Sequence, residues 1–98
     1  MYVHKKGSDE YRKIEREALH LGAKKFGISR KGNFKYFVVY GGKTVHFGSK
    51  VNSDWTHHKD PERRKRYRAR HSKLLLKDGT PAYKVKGTPA YFSWHLLW

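Results

Sequence analysis

Apolar residues are sparse along this chain, and their spacing changes from one stretch to the next. Ile14, Ala18 and Leu21 recur at i, i+4 and i+7, the spacing that lines one face of a helix. Ser8-Asp9-Glu10 ahead of them offers a hydroxyl to cap free N–H groups and two carboxylates for the positive end of the helix dipole. Gly22 supplies a stop. The pattern predicts a helix over 9–21. From Phe26 to Gly48 the texture becomes β-branched and aromatic, with Asn33-Phe34-Lys35-Tyr36-Phe37-Val38-Val39-Tyr40, then Gly41-Gly42, then Lys43-Thr44-Val45-His46-Phe47-Gly48. A Gly-Gly pair between two such runs marks a hairpin, because primed turns need positive φ at their central residues. Phe26-Gly27-Ile28 before Lys31-Gly32 adds a candidate third strand, giving an antiparallel meander over 26–48 with the first helix on one face.

Residues 51–59 read as a polar connection. Asp60-Pro61-Glu62 is a second helix start, with Asp as cap and Pro at the first helical position. It predicts a basic helix over 61–73, on which Tyr67, His71 and Leu74 dock inward while Arg64, Lys65, Arg66 and Arg68 face out. Gly79-Thr80-Pro81-Ala82-Tyr83 then recurs as Gly87-Thr88-Pro89-Ala90-Tyr91. Each copy reads as a turn ending in an anchoring tyrosine, within a turn-rich aromatic tail over 79–98 that closes on a short helix begun by Thr88-Pro89. The fold expected is a single α+β domain spanning 1–98. Its small antiparallel sheet of two or three strands is packed with the N-terminal helix, the basic helix and the short C-terminal helix.

Composition sharpens this. At 98 residues two separate cores would each be too small to offset the entropy of ordering the backbone. Lys and Arg number 23 against 8 acids, a formal charge of +15, so the compact state repels itself unless counter-charge is near. Four of those acids, Asp9, Glu10, Glu15 and Glu17, fall in the first helix, so the excess positive charge lies elsewhere. It concentrates between Lys59 and Arg70. Lys59, Arg63, Arg64, Lys65, Arg66, Arg68, Arg70 and Lys73 are the candidate nucleic-acid-binding residues, since the planar guanidinium suits phosphate oxygens and grips a backbone regardless of sequence. A solvated helix face, or a transport signal at Arg63-Arg64-Lys65-Arg66, is the plainer alternative. Nucleic acid is the expected partner, with an anionic membrane surface or an acidic protein face as others.

The aromatic tail supplies candidate anchors in Tyr91, Phe92, Trp94, Leu97 and Trp98, which complete either this chain's own core or a neighbouring subunit. Absent cysteines exclude disulfides and Cys-based zinc sites. No run approaches the roughly 20 apolar residues of a membrane span, and Met1-Tyr2-Val3-His4-Lys5-Lys6 does not resemble a signal sequence, so a soluble or surface-bound protein is expected. Among seven histidines, His57, His58 and His71 match no common metal-ligand spacing. A histidine-metal nuclease on His57, His58, Asp60 and His71 is the one enzyme that can be sketched. No nucleophile elbow, zinc-protease motif or phosphate loop is present, so a binding protein without metal or cofactor is the expectation.

His46-Phe47-Gly48, then Ser53-Asp54-Trp55-Thr56-His57-His58-Lys59-Asp60-Pro61-Glu62-Arg63-Arg64 with Tyr67, Arg70 and His71, then Ser93-Trp94 and Leu96-Leu97-Trp98, resemble a family of small basic proteins of large nucleocytoplasmic DNA viruses. Similar proteins occur in iridoviruses, phycodnaviruses and mimivirus relatives, generally without assigned function. The resemblance covers about the C-terminal half of the chain and departs from the pattern over 74–88. It implies a virion-associated protein, present in the particle and the infected cell, whose basic face meets DNA, or alternatively a minor capsid protein that cements shell subunits or contacts an internal membrane, with capsid proteins as partners. It names no molecular activity.

Overall fold

The computed structural model describes residues 2–98. The architecture is α+β: a three-stranded antiparallel sheet in the order β1-β2-β3, with helices packed around it. Helix α1 spans Asp9–His20, with the Ser8 hydroxyl accepting the Tyr11 N–H and Asp9 and Glu10 in the first turn. Its buried face is Tyr11, Ile14 and Ala18. The apolar stripe therefore starts one turn earlier than Ile14-Ala18-Leu21 suggests, because the Tyr11 ring reaches the sheet and tilts against Phe26 at 5.2 Å.

Strands β1 (Lys25–Ile28), β2 (Tyr36–Tyr40) and β3 (Lys43–Phe47) form the meander. Gly41 and Gly42 take φ of 58° and 76°, the left-handed pair that a two-residue primed turn requires. The register sets Phe26 opposite Val38 and Tyr36 opposite Phe47. Strand alternation then puts Phe26, Tyr36, Val38 and Phe47 on one face, and all four are buried. Helix α1 and the C-terminal segment cover that face, contributing Ile14, Phe92, Leu96 and Leu97 to one continuous core. On the other face Phe37 lies across Gly27, where a Cβ would stand 2.6 Å from the ring.

The stretch 51–59, expected only as a polar connection, has structure of its own. It contains a one-turn helix, α2 (Trp55–His58), capped by the Asp54 carboxylate, which accepts the Thr56 N–H at 2.9 Å. Four residues are too few for periodicity to register. Helix α3 runs Pro61–His71, with Asp60 accepting from the Glu62 and Arg63 N–H groups. It stops short of residue 73 because the backbone beyond is taken by another segment: Leu74 O accepts from Ala82, and Leu76 N–H donates to Thr80, around a bridge between Leu75 and Pro81. Leu74 thus leaves the inward stripe of the helix and is exposed, as are Leu75 and Leu76.

The two five-residue copies diverge structurally. The first ends in a 3₁₀ turn, Ala82–Lys84, with Tyr83 stacked on Trp94 at 3.9 Å. The second opens helix α4 (Pro89–Phe92), where the Thr88 hydroxyl accepts the Tyr91 N–H and Tyr91 is buried. The chain continues through a π-helical turn, Ser93–Leu97, which buries Leu96 and Leu97. Among the described residues no helix is long and apolar enough to cross a membrane.

Candidate functional site

Helix α3 divides its cations between two sides. Arg63, Arg66 and Arg70 are spaced i, i+3, i+7 and so occupy an arc of about 60° on the helix. They form one wall of a cleft of about 590 Å³. The loop after β3 contributes Gly48, Ser49, Asn52 and Ser53 to the lining, and Tyr67, His71, Leu97 and Trp98 also line the cleft. Gly48 is required there: at φ 78° its Cβ would stand 2.9 Å from Leu97 and 3.2 Å from Lys35.

Lys35 and Asp54 meet inside this cleft as an ion pair, with side chains 1% and 2% exposed. Asp54 also accepts from the Thr56 N–H and hydroxyl. Burial alone would raise its pKa, but hydrogen bonds from Lys35 and Thr56 and the Lys35 charge hold the carboxyl below its ordinary range. Asp54 is thereby committed to Lys35, and the three arginines set the field of the cleft. Among the described residues no carboxylate lies within ion-pair distance of Arg63, Arg66 or Arg70.

Arg64 and Arg68 do not face solvent as the helical pattern indicates. Arg64 Nε donates to the Trp98 main-chain oxygen at 2.5 Å and Arg68 Nη2 to the same oxygen at 2.9 Å. Their guanidinium groups lie over the rings of Trp55 and Trp94, at 4.7 and 5.1 Å. A planar, weakly hydrated guanidinium can stack on an indole while its edge donates hydrogen bonds. Burial and the neighbouring Arg64 charge lower the Arg68 pKa. Lys59 is the left-handed residue closing α2, at φ 52°, and its ammonium lies 3.4 Å from Glu10, away from the cleft. Lys65 and Lys73 are exposed. The eight candidate cations therefore do not share one face. Of the tail anchors, Phe92 and Leu97 are wholly buried and Tyr91 nearly so. Trp94 and Trp98 are half-buried and gripped by α3.

The histidines are dispersed into separate contacts. His57 stacks on His4 at 3.8 Å, and His4 Nε2 sits 2.9 Å from the Thr56 hydroxyl. His58 Nδ1 accepts the Asp60 N–H, which places the proton of the neutral ring on a buried Nε2 that has no partner among the described residues. His71 Nδ1 donates to the Tyr67 carbonyl. Burial, and then the His57 charge, lowers the His4 pKa; burial, and then Arg63, lowers that of His58. Among the described residues no three His, Cys, Asp or Glu side chains converge where they could hold a metal ion. His57, His58, Asp60 and His71 accordingly form no ligand set.

Lys35, Asp54 and the hydroxyl-bearing loop were not candidates on sequence grounds. A signal was available for Asp54, since Asp-x-Thr is a capping pattern. None existed for Lys35, a single cation beside a strand, whose burial depends on a partner 19 positions away.

DUF5754, a family of unknown function, matches residues 23–71, half of the chain, and the protein belongs to that family. The matched stretch comprises the sheet, α2 and α3. No curated protein and no solved structure matches the chain.

Proposed function

We propose that this protein is a non-enzymatic, virion-associated structural protein that binds nucleic acid, chiefly DNA, without sequence specificity. One observation carries the reading: Arg63, Arg66 and Arg70 stand in line on one face of α3 and, among the described residues, no carboxylate lies within ion-pair distance to neutralise them. Seven helical positions rise about 10 Å, and with one phosphate per 3.4 Å on each strand such a ridge meets about three phosphates. Contacts of this kind hold a backbone and read no bases. The placement in a virion rests on the resemblance of the C-terminal half to proteins of large DNA viruses.

The test is the salt dependence of duplex DNA binding. Each neutralised phosphate should steepen the slope of log affinity against log salt by about 0.9. The ridge alone should give a slope near −3, approaching −4 to −5 when Lys65 and Lys73 also engage. No binding at low salt, or a slope near zero, overturns the reading.

A second reading is a minor capsid protein that cements shell subunits or contacts an internal membrane. It draws on consecutive exposed apolar side chains at Leu74, Leu75 and Leu76, a patch that suits burial against another surface. Locating the chain in the shell rather than the core of purified particles would favour it.

A further inference from the structure

The cleft contains more than a phosphate ridge. His71 stacks on Tyr67 with ring centroids 3.8 Å apart, and Tyr67 stacks on Trp98 at 4.1 Å. The planes deviate by 16° and 5°, so the three rings make a nearly parallel pile, and all three line the same cleft as Arg66 and Arg70. The Tyr67 carbonyl fixes the outermost ring by accepting the His71 Nδ1–H. The pile is thus ordered before any ligand arrives.

Guanidinium groups beside a fixed stack of rings match two parts of one ligand: a phosphate and the flat face of a base. A duplex can offer only the first, because its bases are stacked on one another and present edges to the grooves. An unpaired nucleotide can offer both, and base-on-ring stacking is tolerant of sequence because every base has a π-face. The cleft volume of about 590 Å³ lies within the range of pockets that enclose small ligands. Building on the nucleic-acid reading above, we infer that the cleft takes an unpaired nucleotide, its phosphate against Arg66 and Arg70 and its base against the His71 end of the ring pile. The protein then prefers single strands, or frayed and looped regions, to intact duplex. An acidic peptide would satisfy the arginines and leave the rings unused.

The experiment uses the full chain and a single strand of about twelve nucleotides, within the usual 4–16 nucleotide site size, carrying a central 2-aminopurine, alone and annealed to its complement. Tighter binding to the single strand, with quenching of the 2-aminopurine emission, is expected. His71→Ala should weaken single-strand affinity by about 5- to 150-fold, the range for losing one stacked base, and should leave duplex affinity unchanged. His71→Phe keeps an aromatic face and should restore the preference, which separates loss of stacking from loss of folding. Equal affinity for both forms, with no effect of His71→Ala, overturns the inference while the basic-ridge reading stands. Failure to bind either form overturns both. Displacement of the strand by an oligoglutamate peptide at equal charge concentration would assign the cleft to an acidic protein and overturn the inference as well.

Discussion

Tyr67 in α3 lies flat on Trp98 in the tail, with ring centroids 4.1 Å apart and planes 5° from parallel. Burial pushes the Tyr67 hydroxyl up to about 12. The contact joins the basic helix to a segment 31 residues further along, on the same side on which Arg64 and Arg68 reach the Trp98 main-chain oxygen. It makes the tail part of the scaffold that positions the cleft.

Removing the tail should therefore unfold the protein. Phe92, Leu96 and Leu97 are at most 4% exposed, and truncating a single buried Leu or Phe to Ala typically costs about 2–5 kcal/mol. A chain ending at Tyr91 should lose most of the roughly 5–15 kcal/mol available to a small domain. Urea denaturation followed by tryptophan fluorescence and circular dichroism would detect this. An unchanged midpoint would mean that the tail's partner is another molecule.

The arginines of α3 should separate into two sets. Gln at Arg63, Arg66 and Arg70 should leave the unfolding midpoint nearly unmoved, within about 0.5 kcal/mol per site, while reducing the DNA salt slope by about 2.7. Gln at Arg64 and Arg68 should do the reverse. Each loses a charged hydrogen bond and a stacked indole, for a destabilisation on the order of 2 kcal/mol, with the salt slope preserved. Equal effects of both sets on binding would contradict the division.

The Lys35–Asp54 pair should be costly to break from one side. Lys35→Met leaves a buried carboxylate without its cation and should destabilise by about 3–5 kcal/mol. Adding Asp54→Asn should recover part of the loss, since the charge disappears while a side-chain oxygen remains to cap α2. A double variant no more stable than Lys35→Met alone would show that the pair is not coupled as its geometry implies.

Acid should weaken the fold in two stages. His4 and His58 titrate below the ordinary 6.5 in the folded chain, so between their folded and unfolded pKa values the unfolded chain binds more protons. Stability is then fully present above 6.5 and declines as the pH falls below it. Asp54, held below the ordinary 3.8, contributes stability above that value that is lost as the pH falls through its folded pKa. Urea midpoints should fall between about pH 7.5 and pH 5.5, and His4→Asn should flatten the profile in that window. A pH-independent midpoint in the wild type would exclude the histidine stage.

Local chemistry determined much of this protein from sequence alone. Ser8 and Asp60 fix helix starts because a cap acts on N–H groups two or three positions away. Gly41-Gly42 fixes the hairpin because the turn geometry is a property of those two residues. The α+β class follows from these elements, and the same nearness in sequence located the charge on α3. Tertiary structure decided which way that charge points. Arg64 and Arg68 are indistinguishable in composition from Arg63, Arg66 and Arg70, and the helical period cannot say which set meets the protein. The deciding acceptor and indoles belong to Trp98, Trp94 and Trp55 on other elements. Lys35 likewise reads as a surface cation until the loop after β3 brings Asp54 to it. An ion pair or a cation over an aromatic ring depends on where distant segments come to rest, and the packing of the tail against the sheet sets that.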